Sequence, residues 1–453
     1  MVERHPDRMA LEQFSRGEAS GDEERWVEDH LRSGCAVCQR EVDSALVRML
    51  GPDFALPAAE DPGSADEVDA GWDRLVALLE KRLALAAAER REAPRLVAEL
   101  LGCAPREREI RARSSGLFQT LAVCELVIEK SFDERFGDNS RAIELAELGL
   151  LLAAQLDGER YGRSVVKDLQ ARAWAYLGNA RRMAFDLPGA EEALAQAERL
   201  VETGSADPLE EARILDLRAS LLSDQGRFEQ AAELLDLVID IYDNLREPHR
   251  KGRAMVSKGL FLGYAGWPEE AIPVIRRGLA LLDWEAEPRL VLMARHNLAW
   301  CLNDCGRGQE AWELLQRLRH AYSEFDDPWT RLRFVWLSGL IQANLGHVAA
   351  AEENLNEVRG LLLAEGRGYD AALATLDAAE LYLRAGRSAE VKRLAGEMFT
   401  LFLSKDIHRQ ATAALAVFQQ AAEMETATPR LIRDIATYLR RARRNPALRY
   451  APA

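Results

Sequence analysis

Apolar residues at spacings of three and four recur along most of this chain, separated by short polar breaks, and the alternation keeps a constant length. In one stretch Leu290, Leu292, Leu298, Trp300 and Leu302 mark a helix from Pro288 to Asp304, and Ala311, Leu314, Leu315, Leu318 and Tyr322 mark a second from about Gly308. Such spacings put the apolar side chains on one face of an α-helix, so the stretch predicts two amphipathic helices around a tight turn. Gly306 carries that turn. Gly226, Gly266, Gly346 and Gly386 stand in the same register, forty residues apart. A glycine between two helical patterns ends the first helix in a left-handed turn.

Other positions keep the same period. Pro208, Pro248, Pro288 and Pro328 each follow an acid, namely Asp207, Glu247, Glu287 and Asp327. Proline suits the first turn of a helix, where its missing N–H leaves no bond unmade, and an acid there caps free amides and favours the helix dipole. Seven residues before each glycine stand Ala219, Gly259, Ala299, Gly339 and Ala379, and five after it Ala231, Ala271, Ala311, Ala351 and Val391. These small residues let two helices approach closely. The ladder extends upstream to Asp186 and, after a nine-residue insertion, to Gly137 with Ala142; downstream it fades at His408 to Ala422, with a last helix from near Pro429. A fixed period of this length predicts an all-α fold, an α-solenoid of about seven or eight helix pairs, each unit burying its apolar face on its neighbours.

The segments GRFEQAAELL (226 to 235), GWPEEAIPVI (266 to 275) and GRGQEAWELL (306 to 315) resemble the tetratricopeptide repeat family, with a glycine, a residue often aromatic two positions later and an alanine five positions later. The likeness spans roughly residues 110 to 445. The period exceeds the family's usual length of about 34 residues, so the extra residues lengthen helices or connections. The resemblance implies interaction with a protein or peptide, the first helix of each unit lining a shared groove. Arg213, Arg253 and Arg333 form one ladder along that face, interrupted by Met293, with His296, Asn297, Trp300, Asn303 and Trp336 near it. Guanidinium groups suit carboxylates, and the aromatic and amide groups can hold an extended or helical peptide. The competing reading of these residues is packing and solvated edge.

The amino terminus differs in kind. His30, Cys35 and Cys38 form an H-x4-C-x2-C cluster, and His5 is the obvious fourth donor in a chain of seven histidines. Two thiolates and imidazole nitrogens suit a tetrahedral zinc ion, at about 2.3 Å from sulfur and 2.0 to 2.1 Å from nitrogen. The alternatives are a pair of small core residues or a redox-active C-x-x-C. The segment resembles the zinc-binding anti-sigma factor domain over residues 3 to 48, with one residue more than usual between the histidine and the first cysteine. That resemblance implies contact with a sigma factor or another transcription regulator. A closed four-ligand site implies structural zinc, since no position is left for a substrate.

These readings divide the chain into a zinc module at 1–49, a linker rich in Pro, Gly, Ala and acids at 50–68, capping helices at 69–109, the solenoid at 110–445 and a tail at 446–453. The basic runs PREREIRAR (105 to 113) and YLRRARRNPALRY (438 to 450) read as solvated helix faces, the second on a capping helix with its charge outward.

Composition sharpens the function class. The 453 residues carry a formal charge of −15, which argues against a broad phosphate-binding surface and so against direct nucleic-acid binding. The first residues lack the apolar region of a signal peptide and no apolar run suits a membrane span, so no membrane partner and a cytoplasmic location are expected. Six cysteines in a chain this long do not make a secreted disulfide framework. No phosphate loop, nucleophile elbow, H-E-x-x-H or dinucleotide fingerprint occurs. Cys301 and Cys305, with His296 before them, read as buried small residues rather than a second metal site. The expectation is a non-enzymatic bacterial cytoplasmic regulator that binds a protein or peptide on its groove and uses the zinc module as a second contact. The alternative is a passive assembly scaffold with the zinc module only as a stabilising cap.

Overall fold

The computed structural model describes residues 5–6, 10–11, 21–32, 35, 38, 42, 65–134, 138–325, 327–404, 409–442 and 448–450. Among them are twenty helices and no strand. The chain divides into two compact units, Met1–Leu217 and Arg218–Ala453. The first holds α1 (Gly21–Arg32), α2 (Ala65–Gly102), α3 (Pro105–Ser114), α4 (Leu121–Asp133), α5 (Asn139–Ala153), the short α6 (Gly158–Tyr161), α7 (Arg163–Met183), α8 (Leu187–Val201) and the start of α9 (Pro208–Asp224). The second continues with α10 (Phe228–Asn244), α11 (Pro248–Ala265), α12 (Pro268–Leu281), α13 (Pro288–Asp304), α14 (Gly308–Ser323), α15 (Pro328–Asn344), α16 (Val348–Ala364), α17 (Gly368–Arg384), α18 (Ser388–Ser404), α19 (Arg409–Glu423) and α20 (Pro429–Ala442). The fold is an α-solenoid of tetratricopeptide-like helix pairs. No helix among the described residues is long and apolar enough to cross a membrane.

The turn glycines explain the hairpins. Gly226, Gly266, Gly306, Gly346 and Gly386 all have φ between +71° and +90°. The amide of the next residue, Arg227, Trp267, Arg307, His347 or Arg387, donates to the carbonyl of Leu222, Leu262, Leu302, Gln342 or Tyr382 at 2.8–2.9 Å. This bond across the helix end satisfies a carbonyl that the helix leaves orphaned and aims the chain into the second helix. The turn between α7 and α8 makes the same bond, from Asp186 to Arg181 at 2.9 Å, but places Phe185 in the left-handed conformation at φ 65°. Gly137 lies outside the described residues.

The repeated prolines all begin helices, as expected, but their acids divide. Asp207 accepts from the Leu209 amide at 2.9 Å and Asp327 from the Thr330 amide at 2.8 Å. Glu247 and Glu287 make no capping bond. The extra methylene of glutamate carries its carboxylate past the free amides, and each pairs with an arginine instead, Arg250 at 3.4 Å and Arg253 at 2.5 Å respectively.

Small residues set the helix spacing. A Cβ added to Gly259 would lie 2.3 Å from Cγ1 of Ile275, and one on Gly339 3.0 Å from Cγ of Leu355. Ala219, Ala299 and Ala379 are fully buried at the same register, as are Ala231, Ala271, Ala311 and Ala351. From α10 to α19 each helix packs on the next, and the first helices of successive hairpins, α11, α13, α15 and α17, also touch in order. Side chains on these first helices therefore share one face.

Nearer the amino terminus the helices run longer than the sequence pattern suggests. Residues on both sides of Pro94 form the single helix α2, and Ala65 to Val68, taken as linker, already belong to it. Residues 51–64 lie outside the described residues. The basic run in α3 is engaged by acids: Arg108 pairs with Glu144, Arg111 with Glu99 and Glu107, and Arg113 with Glu109.

One substitution made at two glycines separates backbone from packing. Gly266→Ala meets no atom within 4 Å but must hold φ +90°, and is expected to lower stability by about 1 kcal/mol. Gly360→Ala, on the exposed side of α16 with nothing within 4 Å, is expected to be neutral or to stabilise by up to about 1 kcal/mol. Denaturant midpoints at constant slope measure both.

Candidate functional site

Helix α1 ends two residues after His30, and a small core of Ala10, Leu11, Val27, Leu31, Cys38 and Val42 holds that end against the following chain. Cys38 is buried within this core, Cys35 packs on its edge and His5 is exposed. One donor atom from each of His5, His30, Cys35 and Cys38 lies within 4.8 Å of all the others. His5 Nδ1 is 3.3 Å from His30 Nε2, 3.3 Å from Cys35 Sγ and 3.6 Å from Cys38 Sγ. A tetrahedral ion with the usual zinc bond lengths has donors about 3.3 to 3.8 Å apart, so these separations match the edges of such a tetrahedron. The donors fit a metal ion with two nitrogen and two sulfur ligands. The cysteines form no disulfide, and Ser33 and Gly34, in the stretch that carries the one additional residue, lie outside the described residues.

On the first-helix face of the second unit, the predicted residues have different surroundings. Arg253 is committed to Glu287. Arg333 meets no carboxylate among the described residues: its Nη1 lies 2.9 Å from Met293 Sδ and its guanidinium stands 5.3 Å from the Trp329 ring centre. Burial lowers its pKa, with the Tyr264 and Tyr322 hydroxyls opposing. His296 is half-buried beside it, with Nδ1 2.6 Å from the Tyr322 hydroxyl, and burial followed by the Arg333 charge brings its pKa down to about 3. The imidazole is therefore neutral at physiological pH. Arg333 is the one cation of this pair.

Trp300 and Asn297 are half-buried on α13. The Trp300 ring packs 5.5 Å from Tyr264, which packs 5.5 Å from Phe228. Trp336 donates its indole N–H to Asp377 at 2.7 Å. Asn303, expected at the groove, is only 3% exposed and sits inside the wall, so it offers no surface to a ligand. Cys301 is buried, and burial pushes its thiol up to about 12.

Arg213 belongs to the first unit, where it pairs with Glu210 at 3.3 Å. Glu210 also accepts from Arg172 Nε at 3.0 Å. Arg172 and Glu210 line a polar cavity of about 160 Å³ with Glu125, Asp168, Ser205 and Asp207. The Ser205 amide donates to both Asp168 oxygens at 3.1 Å, and burial raises the Asp168 and Glu125 pKa values. Arg213 thus serves an internal ion network.

Three acids escaped the sequence reading. Asp377 and Glu380 on α17 interact with Asp304 on α13, and burial pushes Asp304 and Asp377 each up to about 6 while Arg440 opposes it. A signal was present: Asp377 stands eighty residues after Asn297, and Glu380 eighty after Trp300.

No protein-family model and no curated protein matches this sequence. Solved structures match in fold. A Rap protein complexed with Competence and Sporulation Factor superposes with a TM-score of 0.53 at 11% identity, over 70% of this chain and 91% of that one. Aspartyl phosphate phosphatase F from Bacillus subtilis gives 0.50 at 13%, over 90% and 98%. The apo form of RapI gives 0.50 at 12%, over 88% and 99%. At these identities the likeness concerns the fold.

The His296 site makes a prediction with a definite sign. Its folded pKa, about 3, lies below the ordinary 6.5, so between these values the unfolded chain binds more protons and stability falls as pH drops through that window. His296→Gln is expected to lose less stability than the parent between pH 6.5 and 4, measured by denaturant unfolding at each pH. Parallel profiles would show that His296 is not held neutral.

Proposed function

We propose that this chain is a non-enzymatic regulator that binds a protein or peptide on its first-helix face, with Arg333 taking a ligand carboxylate. The observation that carries this reading is the contrast among arginines. Arg253, Arg213, Arg172 and Arg387 each have a glutamate partner, whereas Arg333 sits among Trp329, Met293, Tyr322 and a neutral histidine with none among the described residues. A guanidinium held among apolar and aromatic groups gains more from a carboxylate than one in water, and does so with two parallel hydrogen bonds. Asn297 and Trp300 on α13 and Trp336 on α15, on the same first-helix face, would hold the remaining peptide. A Rap protein of the same fold is complexed with Competence and Sporulation Factor, which supports a ligand-binding role. The word phosphatase in a neighbour's name belongs to that neighbour.

In the same reading the amino-terminal cluster holds one structural zinc through His5, His30, Cys35 and Cys38, and the module it closes makes a second contact, with a sigma factor or another transcription regulator in the bacterial cytoplasm. Its resemblance to the anti-sigma factor domain and the tetrahedral donor spacing support this. Zinc supplies a crosslink that the small core of Ala10, Leu11, Val27, Leu31, Cys38 and Val42 among the described residues lacks.

Two measurements test the reading. Peptides selected on the full chain are expected to carry an essential carboxylate, and Arg333→Gln should weaken them about 10- to 100-fold, the worth of a charge-assisted hydrogen bond. Unchanged affinity removes the anchor. Elemental analysis of the full chain should find one zinc, lost in Cys35→Ser/Cys38→Ser; a zinc-free chain whose thiols all titrate freely removes the metal.

A further inference from the structure

The last helix departs from the pattern of the hairpins before it. In those, the second helix packs on the first helix of its own hairpin and of the next. Helix α20 instead turns back over α17, the first helix of the preceding hairpin, and touches it more extensively than its own partner α19. Ile432, Ile435 and Leu439, at spacings of three and four, are buried there with Leu376 and Tyr382 of α17. The basic end of α20 divides: Arg440 is exposed, as the sequence suggested for a capping helix, while Arg441 is half-buried. Arg441 lies against the turn at Gly226, where an added Cβ would come 2.8 Å from its Nε, whereas Gly266, Gly306, Gly346 and Gly386 meet nothing within 4 Å. Among the described residues that Nε is buried without a hydrogen-bond partner. Neighbouring Arg440 remains exposed, beside the acids Asp304 and Asp377.

We propose that α20 is an internal occupant of the acidic part of the first-helix face, and that a partner presenting an amphipathic helix ending in paired arginines binds there by displacing it. The proposal rests on the reading of this face as a binding surface and adds its regulation. Three features support displacement rather than permanent closure. Arg440 forms no ion pair with either acid among the described residues, so the charge attraction lacks a fixed geometry. The Arg441 Nε is desolvated with no hydrogen-bond partner among the described residues, which weakens the seat. Asp377 is already oriented by the Trp336 indole, so the acidic surface keeps its shape when the arginine leaves. The chemistry of the partner follows from what it must replace. It needs apolar residues spaced as Ile432, Ile435 and Leu439 to cover α17, an arginine one residue beyond to reach Asp304 and Asp377, and a second to take the place of Arg441 at the Gly226 turn. Trp336 lies one helical turn from Arg333 on α15, so the displaced surface adjoins the carboxylate anchor.

A fluorescent peptide with the sequence of residues 428–445, titrated into the full chain, tests this by anisotropy. The Arg440→Glu/Arg441→Glu variant is expected to bind it at least tenfold more tightly than the parent, because its own helix is less firmly seated. Adding Asp304→Asn/Asp377→Asn should take back that gain. Equal affinities of parent and variant, no binding to either, or retention of the gain after neutralising the acids would each overturn the proposal. Should the charge-reversed variant fail to fold, amide exchange of the parent decides: α20 is expected to exchange at least tenfold faster than α17, and exchange of both only by global unfolding overturns displacement. Survival of the Arg333-dependent peptide affinity alongside such a failure removes the displacement alone, whereas loss of both removes the shared reading of the face.

Discussion

Every hairpin of the second unit hangs on one backbone event, the left-handed residue that follows its first helix. The bond from the residue after that glycine to a carbonyl five positions back does two things at once. It closes an orphaned acceptor, and it sets the angle at which the second helix leaves. Only with that angle fixed do Ala231, Ala271, Ala311 and Ala351 come close enough to the preceding helix to be fully buried. Close packing then brings the first helices of successive hairpins into contact. The shared face on which Arg333, Trp336 and Asp377 meet is thus a consequence of turn geometry repeated at constant length. Phe185 shows that the bond, rather than glycine itself, is the invariant: the α7–α8 turn makes the same connection with a conformation that costs a non-glycine residue about 1 to 2 kcal/mol.

Periodicity made the scaffold legible because period, turn residue and helix start are all local. The helix from Pro288 to Asp304 and the next from Gly308 are where the apolar spacing puts them. Charge partnership is not local, and there the sequence reading failed in instructive ways. Glu287 looks like a capping acid from its place before Pro288, yet its longer side chain makes it the partner of Arg253, thirty-four residues earlier. The arginine ladder was therefore visible, but not that two of its members were already satisfied. Repeat arithmetic also stops where repetition stops. Nothing in the spacing of Ile432, Ile435 and Leu439 distinguishes a helix that packs forward from one that folds back over α17. At the amino terminus the H-x4-C-x2-C spacing named three donors, and the structure supplies what spacing could not, the approach of His5 to all of them.

The surface charges make physical sense when cost is considered residue by residue. Burying an arginine without an acid forfeits hydration that a neutral side chain would not lose. This chain usually avoids that cost: Arg108 is held by Glu144, Arg172 by Glu210 and Arg387 by Glu352. At Arg333 it is only partly offset, by the Trp329 ring, an interaction worth about 0.5 to 2 kcal/mol. His296 does not add a second charge, because burial and Arg333 together keep it neutral. The opposite imbalance occurs one helix away. Burial raises the proton affinity of Asp304 and Asp377, neighbouring acids add to it, and Arg440 of α20 opposes it at both, while Glu380 is paired with Arg384. Neither imbalance stabilises the fold, and a hydrophobic or paired substitute would serve stability better in both places. In the proposed reading, a face that carries a cation with no acid partner among the described residues beside a cluster of buried acids gains from a ligand of complementary polarity, carboxylate toward α15 and arginine toward α17. An unsatisfied charge on a scaffold this regular is a reason to look for function there, since the repeats themselves need none of it.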